Sequence, residues 1–159
     1  MFNHLSEYIV KVPGVLSPSI CKKIKDGIDE DVLMKLVEIQ REIFKQYSSV
    51  LIPKGLFEDF DTSSYSFEFD QIIASENDDG FYNIGGVDTS HRFLTFMFII
   101  NNDLFNTTLN FPLQKTTNIC KLGDLYVFPT NFSYRFYVDL AKGEEFMSAS
   151  LHLCFVVDN

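Results

Sequence analysis

The sequence predicts an α+β domain that is mainly β, a sandwich or jelly roll with helices packed on one sheet. Three observations carry that prediction. Apolar residues recur at helical spacing only in an early segment, strict alternation begins at Tyr65, and from there on short strand-like segments follow one another between turn residues.

Taken in order, Tyr8 to Val12 reads as a short strand stopped by Pro13 and Gly14. Ser17 and Pro18 then offer a helix start, the hydroxyl as N-cap and proline in the first turn, where its missing N–H costs nothing. A first helix is predicted from Pro18 to about Asp26. After Gly27 a second begins at Asp29 or Glu30, with Val32, Leu33, Leu36, Val37, Ile43 and Phe44 on one face and acidic residues in the first turn. Its end is expected near Tyr47, where Ser48 and Ser49 and then Pro53 interrupt the pattern.

Beyond the helices, Tyr65, Phe67 and Phe69 alternate with Ser66, Glu68 and Asp70, the period of a half-buried strand. The segments from Glu76 to Gly80 and at Gly85 and Gly86 are turns. Further strands are expected near 92–101, 107–112, 116–120, 124–129, 134–139 and 145–157. The chain holds no internal repeat, linker or low-complexity stretch. We therefore expect one domain over 1–159, with the N-terminal strand and helices in 1–55 and the β part in 56–159.

Bulk properties narrow the function. Apolar residues make up 46% and charged residues 22% of the chain, which excludes wholesale disorder. A net charge of −9 argues against a general nucleic-acid binder, because affinity for phosphate backbones comes from clustered Lys and Arg. The one dense cationic segment, Cys21 to Lys25, reads as a solvated helix face. Three cysteines, at 21, 120 and 154, have neither disulfide-framework nor zinc spacing, and the expectation is a reduced, intracellular, non-secreted protein. The longest apolar run, Phe93 to Ile100 with Thr95 inside it, is far too short to span a membrane.

Few residues could carry chemistry. The histidines are His4, His91 and His152, and Asp88 with His91 is a carboxylate–imidazole pair close in sequence, a pair that still needs a third ligand. His91 otherwise reads as an exposed turn residue and His152 as a strand histidine, either hydrogen-bonded inside or facing outward. Cys120 and Cys154 sit in apolar strands and read as buried structural thiols. No phosphate loop, nucleophile elbow or H-E-x-x-H occurs, and Glu76, Asp78 and Asp79 lack calcium-loop spacing. The series Phe128, Phe132, Tyr134, Phe136 and Tyr137 reads as strand packing or, where exposed, as a protein interface.

One succession of motifs spans nearly the whole chain. Val15 to Cys21 precedes the helices, Phe81 to Asp88 leads to Arg92-x-x-Thr95 on a strand ending at Asn101, Gly123-Asp124 opens a strand ending in Phe128-Pro129, and Gly143 starts the last strand. In order and spacing this resembles the prolyl 4-hydroxylase type of Fe(II)/2-oxoglutarate oxygenase. The resemblance implies a double-stranded β-helix, a cupin-like jelly roll, with the helices against one sheet. It also implies an iron site of two imidazoles and a carboxylate. Against that pattern, Gly86 stands where the first His is expected, Asp88 is retained, and the distal His falls at or beside Phe136. The cation that pairs with 2-oxoglutarate falls at Glu145, and the assisting Tyr falls near Ser75. A like charge about 4 Å from the co-substrate, at an effective dielectric of about 20, would cost about 4 kcal/mol.

Two expectations follow from the resemblance. The first is a catalytically inactive relative, without cofactor, serving as a binding or structural component with other protein subunits and with no nucleic-acid or membrane partner. Members of this family are frequent in phage genomes, and Phe, Ile, Asn and Lys usage suits AT-rich coding, so a virion is the setting this expectation names. The alternative is an active dioxygenase binding Fe(II) and 2-oxoglutarate through an atypical set, Asp88 with His91 or His152, and an anion anchor at Arg92 or Arg135.

Overall fold

In the computed structural model the described residues are 3–51, 65–75, 80–84, 91–101 and 107–155. Helix α1 (Pro18–Asp26) starts where Ser17 and Pro18 put it: the Ser17 hydroxyl accepts the Ile20 N–H at 3.3 Å, and proline fills the first turn. Helix α2 (Glu30–Leu51) is capped by Asp29, whose Oδ1 accepts the Val32 N–H at 2.8 Å. Its far end departs from expectation. Ser48 and Ser49 donate their hydroxyls to the carbonyls of Lys45 and Gln46 at 3.1 and 2.9 Å, so both are satisfied inside the helix and the helix runs on to Leu51.

The strands are β1 (Asn3–Ser6), β2 (Ile9–Val12), β3 (Tyr65–Ser75), β4 (Arg92–Ile99), β5 (Thr108–Phe111), β6 (Thr116–Ile119), β7 (Leu125–Pro129), β8 (Tyr137–Asp139) and β9 (Glu145–Phe155). They form a six-stranded sheet, β1-β2-β7-β4-β9-β3, and a three-stranded sheet, β6-β5-β8, with every pairing antiparallel. Because β2 pairs with β7, the N-terminal segment and the later strands share one sheet. Strand β1 escaped the pattern reading, since Leu5 is the only apolar residue in its four positions. The strand expected over 134–139 is shorter: Asn131 accepts the Ser133 N–H at 2.9 Å and caps a 3-10 turn at Phe132–Tyr134, and β8 begins only after it.

Alternation along the strands divides the core in two. Leu94, Phe96 and Phe98 of β4, with Leu151 and Leu153 of β9, pack against Leu36, Val37, Ile43 and Tyr47 of α2. Met97 and Ile99 of β4, Tyr126 and Phe128 of β7 and Phe146 of β9 point the other way, toward Leu109, Phe111 and Val138 of the smaller sheet. The six-stranded sheet is thus covered on both faces, which is why Phe93 to Ile100 reads as a nearly unbroken apolar run. Each fully buried Phe here contributes about 1.5–3 kcal/mol through removal from water.

The Gly123-Asp124 turn fastens helix entry to sheet. At Gly123 (φ 83°) a Cβ would lie 2.3 Å from the Leu16 carbonyl oxygen, so only glycine allows the approach that lets Gly123 accept the Leu16 N–H at 3.2 Å. Asp124 accepts the Gly14 N–H at 3.1 Å and pairs with Lys11 at 3.4 Å.

Candidate functional site

The candidate site is the space between the two sheets. It has an aromatic wall and a charged corner. The wall is built by β7 and the smaller sheet. Phe111, Phe128 and Phe136 pack with ring centroids 5.0 to 5.6 Å apart, and Phe136 also stacks on Tyr82 at 5.4 Å. The Tyr82 and Phe136 backbones exchange hydrogen bonds of 2.8 and 3.1 Å, an isolated bridge that fixes Phe136 inward. The neighbouring turn is held by Asn83 (φ 62°), whose side-chain amide donates to the Pro129 and Tyr134 carbonyls, both at 3.0 Å. Phe146, at the start of β9, is fully buried in the same cluster.

The charged corner is built by β3, β9 and the start of β4. Register places Glu68 opposite His152 and His152 opposite Thr95, and alternation aims all three between the sheets. Arg92 bridges two carboxylates, reaching Glu68 at 2.8 Å through Nε and Asp70 at 3.3 Å through a terminal nitrogen. His91 meets the other Glu68 oxygen at 2.5 Å. His152 is held at both ring nitrogens, Nε2 to Asp70 and Nδ1 to Thr95 Oγ1, each at 2.8 Å, and Thr95 continues to Thr130 at 2.6 Å.

These contacts set the carboxylates. Hydrogen bonding to His91, and then to Arg92, holds Glu68 below the usual carboxylate range. Burial alone would raise Asp70; its hydrogen bond to His152 and the charges of His152 and Arg92 outweigh burial and lower it. The thiols are of another kind: burial pushes Cys120 up to about 12, and burial, with the Glu68 charge adding to it, raises Cys154. All three cysteines are free and buried.

The sequence-predicted positions scatter. Gly86 and Asp88 lie outside the described residues. Phe136 is in the wall, 3% exposed. Ser75 and Glu145 face each other across β3 and β9 and both are exposed. Glu145 shares the parity of Met147 and Ala149, which belong to the helix side, so its carboxylate does not enter the space between the sheets. The repulsion expected from it is replaced there by Phe146, one residue later. His91 and His152, by contrast, are brought into one cluster, and His91 is bonded rather than a free turn residue. Arg92 joins them, whereas Arg135 lies over the Phe81 ring at 5.7 Å. Sequence reading missed Glu68 and Asp70; Phe67 and its alternation partners pointed it to the opposite face.

Two absent groups can be tested against these residues. For 2-oxoglutarate the described residues do not fit: no Lys or Arg among them is buried, and the wall offers a carboxylate only aromatic carbon. For a metal the fit is partial. Ligand atoms of Glu68, His91 and Cys154 lie within 4.8 Å of one another, but Arg92 already neutralises Glu68. Asp70 Oδ1 and Ser148 Oγ, both facing the space, have no hydrogen-bond partner.

No family model and no curated protein matches the sequence. Solved structures do. A viral collagen prolyl hydroxylase from Paramecium Bursaria Chlorella virus-1, in a truncated form, superposes with a TM-score of 0.68 at 18% identity over 94% of this chain and 91% of that one. Its 2OG complex gives 0.66, again at 18% identity, over 94% and 97%. A Pseudomonas putida prolyl-4-hydroxylase gives 0.63 at 12% identity over 95% and 94%. The chain therefore has a prolyl 4-hydroxylase-like fold, mainly β with two α-helices among the described residues; identities this low speak for the fold and not for the chemistry.

Proposed function

We propose that this chain is a catalytically inactive member of the prolyl 4-hydroxylase-like 2-oxoglutarate oxygenases, its two sheets being the halves of a double-stranded β-helix retained as a binding or structural scaffold. The observation that supports this reading best is the aromatic wall. Phe136, at or beside the position where the resemblance expects the distal iron ligand, and Phe146 in the same cluster fill the space between the sheets with carbon. The decisive experiment supplies the full chain with ferrous iron and 2-oxoglutarate and follows succinate. No release above background is expected; metal-dependent release that disappears in Asp88→Ala would overturn the proposal.

The partners in this reading are other protein subunits, and the setting is a phage particle. Support comes from exposed apolar residues around the wall's outer rim: Phe81, Ile84 and Phe132 are 47%, 61% and 64% exposed. A net charge of −9 disfavours nucleic acid, and no described helix is long and apolar enough to cross a membrane. A chain that stays monomeric and is absent from purified particles would count against the setting.

One observation favours a second reading. The grouping of Glu68, His91 and Cys154 suits a protein that takes a metal ion. An active dioxygenase would instead draw on Asp88, His91 and His152, a set in which Asp88 lies outside the described residues and both ring nitrogens of His152 already meet protein partners. Cobalt titration separates the two, because visible absorption bands that His91→Ala abolishes would require a metal centre here.

A further inference from the structure

Outside the space between the sheets, on the helix side, lies a cavity of about 430 Å³ between α2 and the β3–β9 edge. Its helical lining is Val37, Gln40, Arg41, Phe44, Lys45 and Ser48, spaced as one face of a helix, and its opposite wall is Tyr65, Phe67 and Leu153. The volume falls in the range of small-molecule sites. Two features separate it from a packing defect. Gln40 is 2% exposed, and its side-chain Nε2 has no hydrogen-bond partner, a costly arrangement for a buried donor unless something else accepts from it. Beside it stand two cations, Arg41 and Lys45, and among the described residues no Asp or Glu lines the cavity, in a chain whose net charge is −9.

We propose that this cavity binds a small amphipathic anion, a carboxylate carried on a flat apolar body. The aromatic side chains of Phe44, Tyr65 and Phe67 enclose the body, with the Phe44 and Tyr65 rings edge to face at 6.4 Å. Gln40 donates Nε2–H to a ligand oxygen, and Arg41 and Lys45 attract the charge at the mouth. A hydrocarbon would leave the Gln40 amide unpaired, and a cation would be repelled, so the lining selects for an acceptor-bearing anion. No residue of the aromatic wall or the charged corner takes part. The inference therefore stands or falls separately from the functional reading above.

The test is a titration of the full chain, followed by amide NMR, with 2-naphthoate and with its neutral counterpart 2-naphthalenemethanol. Saturable shifts confined to α2, β3 and the end of β9 are expected, with the anion binding about tenfold tighter than the alcohol. The exposed pair Arg41→Glu and Lys45→Glu, which leaves the core untouched, should abolish that preference. Gln40→Met should weaken naphthoate severalfold while raising Tm, since it removes the unpaired donor; a purely structural glutamine would lower Tm instead. Absence of saturation, equal affinity for the two probes, or indifference to the charge reversal overturns the proposal.

Discussion

The aromatic wall and the charged corner occupy the same space and are built from the same kind of alternating strand, yet they are held by opposite means. On β7, inward positions are Tyr126 and Phe128; on β9 they pass from Phe146 through Ser148 and Ser150 to His152. The wall gains from burying carbon and needs only shape. The corner must offset the desolvation of Glu68, Asp70 and Arg92 with hydrogen bonds, and it does so in a chain running from His91 to Thr130. What the difference teaches is that the two halves of one interior have separate tolerances. The wall can be refilled with any close-packed set, whereas removal of one member of the corner strands another.

The largest expected effect lies in the wall. Phe136→Ala removes a ring that touches Phe111, Phe128 and Tyr82, and should destabilise the chain by about 3–5 kcal/mol in urea unfolding. Phe136→Leu should cost far less. If Phe136→Ala proves nearly neutral, the wall is not continuous core and the space between the sheets is open to a ligand.

Next in size is the corner's bridge. Arg92→Ala leaves Glu68 and Asp70 with histidine partners alone. Both carboxylate side chains are 38% exposed, so water softens the loss to about 1–2 kcal/mol. A gain of stability instead would mean that the corner is under electrostatic strain and is kept for binding.

Acid should then distinguish the two halves. Glu68 and Asp70 sit below their ordinary 4.5 and 3.8 in the folded chain, so they bind protons more weakly folded than unfolded. Their stabilisation is complete above the unfolded values and is lost as pH falls through the lower folded ones. Urea midpoints measured from about pH 6 to about pH 3 should decline on the acid side for the native chain and decline less for Arg92→Ala. Parallel declines would remove the corner from the acid response.

These halves were unequally legible in the sequence. Local grammar placed α1 through Ser17, Pro18 and Gly27, while for Phe136 it left packing and an exposed interface both open, and the structure buries it. The same grammar stopped α2 too early because a serine's hydroxyl can either break a helix or bond back into it, and only the turn geometry decides. The corner was only partly legible: His91, Arg92 and His152 stood out by residue type, but their carboxylate partners did not. Arg92 meets Glu68 across 24 positions and His152 meets Asp70 across 82, contacts that depend on strand order. The alternation at Tyr65 to Asp70 was right in period and misleading in sense. Tyr65 and Phe69 do turn to the helix side, but Glu68 and Asp70 turn to the side of the second sheet and stay only half-buried there, while Phe67 is 40% exposed.

The smallest effect is the most pointed. On the sequence pattern Glu145 is where a 2-oxoglutarate anchor is expected, so restoring a cation with Glu145→Arg would seem to restore the site. The carboxylate is exposed, on the parity of Met147, while the Glu145 backbone carbonyl accepts from the Asn101 side-chain amide and does not depend on residue type. Glu145→Arg should therefore change stability by less than about 0.5 kcal/mol and leave 2-oxoglutarate affinity undetectable by calorimetry. Phe146→Arg would be the substitution that puts a cation between the sheets, and there it meets only buried carbon. Measurable 2-oxoglutarate binding in Glu145→Arg would show that β9 presents its other face in solution and that residue 145, not 146, faces the space between the sheets.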